Sequence, residues 1–251
     1  LKTIPRHHLH KISHIVLRLI SPFYRGNNFE DPITGIKYRK MLSYGRNNPR
    51  PNALAPDSLS LERHRILWLY LKEKTNFFTD QIKFLHLAPE YCFLKLFRKQ
   101  KNLDYTCADL NSPWADVHMD VHDIPFDENT FDVIMGNHLL EHVEDDRKVM
   151  REFYRVMKPG GWGIFMVPMD YNRKETYEDP SITDPKEREK HFWQSDHVRL
   201  YGLDYSDRLG KAGFEVTVDD FVKKLSPELV KRYGLPPNEI IYFCKKPASA
   251  N

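Results

Sequence analysis

Between residues 82 and 168 the apolar positions fall into short runs that alternate with amphipathic stretches. "IKFLHL" (Ile82 to Leu87) has the length and continuity of a buried strand, and "YCFLKLFRKQ" behind it has helical spacing. "LDYTCADL" reads as a second strand, "ADVHMD" as a short extended piece and "FDVIMGN" as a strongly apolar strand. "DDRKVMREFYRVMK" turns Val149, Met150, Phe153 and Val156 to one side of a helix, and "GWGIFMVP" gives a further strand after a turn at Pro159-Gly160-Gly161. Alternation of this kind predicts an α/β chain with a parallel sheet and helices on both faces. Further on, "DYSDRLGKAG" is a helix closing on Gly213. "FEVTVDDF" and "EIIYFCKK" are late strands with no clear crossover helix between them, so they are free to pair antiparallel.

Upstream the pattern is less regular. Residues 27–57 are rich in Asn, Pro, Gly and Arg and read as irregular. "DSLSLERHRILWLYLKEK" then starts a helix, capped by Asp57 or Ser58, with Leu61, Ile66, Leu67, Leu69 and Tyr70 as its apolar face. Residues 7–26, "HHLHKISHIVLRLISPFYRG", are basic and amphipathic but broken by Pro22. They are expected to pack on the parent domain, with weak contact to a membrane surface as the other reading. No apolar run approaches the ~20 residues that cross a bilayer.

Composition narrows the function classes. The 251 residues are 41% hydrophobic and 29% charged, which suits a single large domain, or one domain with an extension, and a real core. A net charge of +3 is too small to announce a nucleic-acid partner. Three scattered cysteines predict free thiols in a reducing, cytoplasmic setting.

The most informative segment is Asp120 to Pro168, "DVHDIPFDENTFDVIMGNHLLEHVEDDRKVMREFYRVMKPGGWGIFMVP". The order of "DIPF", "FDVI", "LEHV" and "RVMKPGG" resembles the middle motifs of class I S-adenosylmethionine-dependent methyltransferases, in the type 11-like group. That resemblance implies a Rossmann-like, seven-stranded, mostly parallel sheet with the last strand antiparallel. It also implies S-adenosylmethionine as cofactor, Asp109 as the ribose-binding acid, and Asp120 as the acid that meets the adenine amino group, followed by Val121. Asp109 ends the second strand, where a carboxylate can accept from two hydroxyls, although a plain turn aspartate is the other reading.

Asn137 and His138 end the fourth strand, on the edge where α/β sheets take ligands. His138, Glu141 and His142 invite a metal reading, but no third ligand is in evidence, so no metal is expected. The turn after Leu87 lacks the family's glycines. His86 stands where the family has its acid, with Ala88, Glu90 and Cys92 in the glycine positions. Ala88 is small enough for close approach, and Glu90 can meet the cofactor's ammonium or sulfonium. The rival reading is a degenerate turn on a non-catalytic binding or scaffold protein.

"DPITG" and "ALAPDSLSLERHR" resemble a bacterial subgroup whose four zinc-ribbon cysteines would fall here on Asp31, Thr34, Ala55 and Ser58. Residues 1–57 are therefore expected to be an N-terminal helix and a metal-free ribbon held by Ile33, Ile36, Tyr38, Met41 and Leu42. Residues 58–251 would be the catalytic domain, with 169–200 as a lid. At the end of the lid and just past it Asp196, His197, Arg199 and Tyr201 cluster, with Phe192 and Trp193 as covers. Glu178 and Asp179 would either face a cationic acceptor or pair with Arg173 and Lys174. His138 and His197 are the candidate general bases for a small-molecule acceptor, which on charge and lid length is a metabolite or glycan-like compound.

Overall fold

The central strands of a seven-stranded sheet are short, buried apolar runs, while its two edge strands are polar and partly exposed. The computed structural model describes residues 16–45 and 49–248. In chain order the elements begin with β1 (Arg25–Asp31), β2 (Ile36–Tyr38), β3 (Leu42–Tyr44), β4 (Arg50–Leu54) and α1 (Glu62–Lys74). Then come β5 (Ile82–Leu87), α2 (Tyr91–Phe97), β6 (Leu103–Asp109), β7 (Val117–His118), β8 (Phe131–Met135), α3 (Asp146–Val156) and β9 (Met157–Ile164). The chain closes with β10 (Tyr177–Glu178), α4 (Pro185–Phe192), β11 (Arg199–Leu200), α5 (Tyr205–Lys211), β12 (Glu215–Asp219), α6 (Pro227–Tyr233) and β13 (Ile241–Lys245). The described parts of residues 1–80, 90–100 and 220–240 form one compact unit, and those of 81–89, 101–219 and 241–251 form another.

The second unit holds the large sheet, in the order β12-β13-β9-β8-β5-β6-β7. β5 is parallel to both β6 and β8, β8 is parallel to β9, and β6 to β7. β13 runs antiparallel to β9 and β12, so the last strand reverses as expected. Strand order turns back on itself between β5 and β8, which is the topological switch point where open α/β sheets take ligands. Phe84, Leu85 and Leu87 of β5 and Val133, Ile134 and Met135 of β8 are buried. Val149, Met150, Phe153 and Val156 of α3 are fully buried, and Phe153 stacks on Phe165 at 4.9 Å. Each such side chain contributes about 1.5–3 kcal/mol of burial.

The Pro159-Gly160-Gly161 segment is not the turn before a strand. β9 begins at Met157 and carries this segment as an irregularity, its register slipping between the pairs Phe131–Met157 and Val133–Trp162. Gly160 takes a φ of +79°, which glycine adopts without strain. The strand also ends at Ile164, so Phe165 to Pro168 lie outside it.

In the first unit β1 and β2 form an antiparallel hairpin, and β3 and β4 form another. Tyr38, Met41 and Ala55 are buried together, with Tyr24, Phe29 and Ile36 against them. At the first ribbon position Asp31 is fully buried. Its Oδ1 accepts from the Ile33 N–H at 3.1 Å and its Oδ2 from the Thr34 hydroxyl at 3.1 Å. Two of the four positions are thus a self-satisfied turn. Helix α1 starts at Glu62, not at a cap on Asp57 or Ser58. Asp57 instead accepts from Tyr38 and Arg25, Ser58 Oγ accepts from the Ser60 N–H, and His64 Nδ1 takes the Leu61 N–H at 3.0 Å.

Among the described residues no helix is long and apolar enough to cross a membrane. Residues 7–15 of the amphipathic segment lie outside the described residues, and Val16–Ile20 are helical. The three cysteines are free and buried.

Candidate active site

At the carboxyl end of β5 the chain leaves the sheet through Ala88, whose φ is +45°. Its N–H donates to the Ala108 carbonyl at 2.9 Å, which ties the turn to β6. Alanine here adopts the left-handed backbone that the expected glycine would supply, at the expense of a Cβ clash. His86 does not belong to the cradle. It is fully buried, hydrogen-bonds Tyr105 Oη through Nδ1 at 3.0 Å and stacks on Phe84 at 5.4 Å, so it is a core residue. Glu90 opens α2 in the first unit, its carbonyl accepting from the Phe93 N–H at 3.0 Å.

Asp109 is the last residue of β6, in register with His118 of β7. Its Oδ1 accepts from the N–H groups of Asn111 at 2.8 Å and Ser112 at 2.7 Å. Those two bonds fix the carboxylate through one oxygen and leave Oδ2 as the acceptor for a ligand. Asp120 is exposed beyond β7, with Val121 half-buried after it. Asp120 Oδ1 accepts from the His122 N–H at 2.9 Å and from His122 Nδ1 at 2.7 Å. These contacts hold Asp120 below the usual carboxylate range, so it is an anion with a tethered imidazole. His122 is therefore not simply solvated.

On the other side of the switch point, the backbone after β8 follows the segment after β9. The Gly136 N–H donates to Ile164 O at 3.3 Å and the His138 N–H to Met166 O at 2.7 Å. Asn137 is buried and its Oδ1 accepts from the Met166 N–H at 2.9 Å, so its side-chain carbonyl fixes this junction instead of facing a ligand. His138 has a φ of +51°. Two of the left-handed non-glycine residues, Ala88 and His138, thus follow the two strands that flank the switch point, where strained backbone marks a functional edge.

His138 Nδ1 lies 3.2 Å from Glu141 Oε1. Glu141 is 1% exposed, and neither of its oxygens has an aligned hydrogen-bond donor among the described residues. Burial pushes this carboxyl up, but the adjacent His138 and the charge of His142 outweigh it and hold Glu141 below the usual range. Its ionised form thus depends on those imidazoles. His197 is also 1% exposed and packs edge-on against His142 at 4.8 Å. Its Nδ1–H donates to Phe192 O at 2.9 Å, while Nε2 has no partner among the described residues. Burial pulls His197 below the ordinary imidazole value. A ring so enclosed cannot reach an acceptor, which removes His197 as the general base.

The rest of the expected lid cluster is structural. Arg199 is 3% exposed and donates to the carbonyls of Leu140 at 2.7 Å, Val143 at 2.5 Å and Glu144 at 2.7 Å. Tyr201 is buried with its hydroxyl on Asp146 Oδ2 at 2.8 Å. Glu178 pairs with Arg199 at 3.2 Å and Arg208 at 3.0 Å, not with Arg173 or Lys174. Phe192 is buried while Trp193 is exposed, so they are not a matched pair of covers. β10 and β11 pair antiparallel and close the base of the 169–200 segment. The cap of α4 was readable: Asp184 precedes Pro185, and its Oδ1 accepts from Lys186 and Glu187 N–H groups.

A family profile described as "Methyltransferase domain" matches residues 90–165. That stretch of the chain is similar to methyltransferase domains. A ubiquinone/menaquinone biosynthesis C-methyltransferase of Idiomarina loihiensis is 49% identical over 45 residues, 18% of this chain and 18% of that protein. A demethylmenaquinone methyltransferase of Listeria welshimeri is 42% identical over 45 residues, 18% of this chain and 19% of its own length. The chain therefore spans under a fifth of the length of these relatives. The solved structure of the cyclase SpnF superposes with a TM-score of 0.52 at 15% identity, covering 87% of this chain and 92% of that one, a likeness of fold. In the second unit the sequence signal missed Asp146 and Arg208, buried charges that lie 62 residues apart and pair at 3.1 Å.

Proposed function

We propose that the chain is an S-adenosylmethionine-dependent methyltransferase acting on a small-molecule acceptor. The observation that carries this is Asp109, fixed by two backbone N–H groups at the end of β6, beside the left-handed Ala88 that follows β5 and bonds Ala108. A ribose diol needs an anchored carboxylate, and the cofactor's lack of phosphates makes a nest of glycine N–H donors unnecessary. Ala88 supplies the glycine-like backbone with only one added methyl, so the residues fit the cofactor.

S-adenosylmethionine, when bound, supplies a methyl group activated by the sulfonium charge. The protein's own residues do the positioning, which governs the rate of an in-line displacement. Asp109 would hold the ribose, and Asp120 and Val121 would receive the adenine edge. Asn137 keeps the segment after β8 in register with that after β9. His138, half-buried at the switch point, is the remaining candidate to accept a proton from the acceptor. The printed names of the matched relatives make a demethylated quinone the first acceptor to assay.

The test is calorimetric titration of wild type and Asp109→Asn with S-adenosylhomocysteine. Asparagine keeps the Oδ1 acceptor for the turn but loses the charge, so affinity should fall roughly tenfold to a hundredfold, as for a hydrogen bond to a charged group. No heat and no thermal shift in wild type at millimolar ligand would leave the scaffold reading in its place.

A further inference from the structure

We propose that Glu141, His142 and His197 form a site for a divalent transition-metal ion, with zinc the best match to the donors. The three side chains each bring a ligand atom, and these atoms lie within 4.8 Å of one another. Tetrahedral zinc with bonds of about 2.0–2.2 Å holds its ligands about 3.4 Å apart. A bound ion would draw the three ligand atoms together by roughly 1.5 Å.

Three observations point to a ligand. Among the described residues neither oxygen of Glu141 has an aligned hydrogen-bond donor, its one neighbouring imidazole being His138 at 3.2 Å, and Nε2 of His197 has no partner. Taking a carboxylate out of water costs several kcal/mol, and a cation would offset more of that than one imidazole does. His197 also shows the arrangement of a metal-bound histidine: Nδ1–H is committed to the Phe192 carbonyl at 2.9 Å, so the lone pair sits on Nε2. His138 beside Glu141 stands as the outer partner that orients the carboxylate.

The framework is already assembled from two distant segments. The Val198 N–H donates to Glu141 O at 2.9 Å, and His142 Nδ1 reaches Asp196 O at 3.2 Å. His142 is about one-third exposed, which gives an ion a way in. Two imidazoles and a carboxylate suit zinc or cobalt(II), with water in a fourth position, better than the oxygen-seeking magnesium or calcium. The sequence offered only His138, Glu141 and His142 without a third ligand; the fold supplies one from 55 residues away. The ion would fasten the 196–199 segment to the carboxyl edge of β8, independently of any cofactor.

The full chain, untagged and stripped with a chelator, is titrated with zinc by calorimetry and with cobalt(II) by visible absorbance. His7, His8, His10 and His14 are a second source of metal binding, so the comparison is with His142→Ala and Glu141→Gln. Wild type should bind one more ion than either variant, show the intense visible bands of four-coordinate cobalt, and gain Tm with zinc that the variants do not. Where Glu141→Gln fails to fold, His142→Ala, altered at a partly exposed ring, decides. Equal stoichiometry, affinity and cobalt spectra in wild type and His142→Ala would overturn the proposal.

Discussion

Replacing Ala88 by glycine should stabilise the protein or leave it unchanged, against the usual direction of such a substitution. Alanine in the left-handed region costs about 1–2 kcal/mol relative to the right-handed one. Glycine releases that strain but loses about 0.5–1 kcal/mol of extra conformational entropy on folding. The balance is about 0–1.5 kcal/mol in favour of Ala88→Gly. At about 2–4 °C per kcal/mol for a chain of this size, Tm should rise by up to about 6 °C. The matched control is Ala108→Gly on β6, which is 1% exposed and is not among the positive-φ residues. It gains no relief and loses both entropy and a buried methyl, a cost of about 1.5 kcal/mol. Differential scanning fluorimetry on the two variants reads the contrast. If Ala88→Gly loses as much Tm as Ala108→Gly, the turn is not strained and Ala88 is there for its contacts.

Asp146→Ala removes one of three carboxylate partners of Arg208, bound at 3.1 Å, and an acceptor of the Tyr201 hydroxyl. It should cost about 1.5–3 kcal/mol in urea unfolding, as for a hydrogen bond to a charged group, whereas Asp220→Ala, from an exposed pair, should change stability little. Arg65→Met should cost about 3 kcal/mol or more, because Arg65 is fully buried and feeds the carbonyls of Ala53, Ser60, Tyr233 and Gly234. Arg65→Lys should not rescue it, since an ammonium cannot span that fork. Acid stability has a defined sign. Burial pushes Glu178 up, but Arg208 and Arg199 outweigh it and depress its folded pKa below 4.5. Asp204 is depressed below 3.8 after burial is overcome by Thr176 and Arg208. Their stabilisation is complete above those ordinary values and is lost as pH falls through the depressed ones. Tm should therefore drop below about pH 4 in wild type, and less steeply in Glu178→Gln. An identical acid limb in the two proteins would dismiss the pair.

The second unit's sheet was legible because each of its main strands is a short apolar run, and α3 buries the four residues its spacing singles out. Asp109 could be placed because a strand end is a local feature. The roles of Arg65, Arg199 and Glu62 could not, since a charged residue on a helix or in a polar stretch looks solvated until its distant partner is known. Glu62 binds Arg50 at 2.8 Å, and Arg199 caps carbonyls more than 50 residues away. His86 and His197 were misread for the same reason: imidazole is compatible with water, ligand or core. Helix α6 carried a local signal that pattern reading passed over, Ser226 before Pro227 with Gly234 behind.

The guanidinium of Arg65 also sets an order of events during synthesis. It donates to Ala53 and Ser60 carbonyls made just before it, and to Tyr233, which lies 168 residues later. At roughly 5–20 residues per second, the ribosome delivers that last acceptor about 10–30 s after Arg65 itself. In the interval the two hairpins and α1 exist without the segment that completes their bonding. The first unit is thus begun before the strands of the large sheet and completed only after most of them have been made.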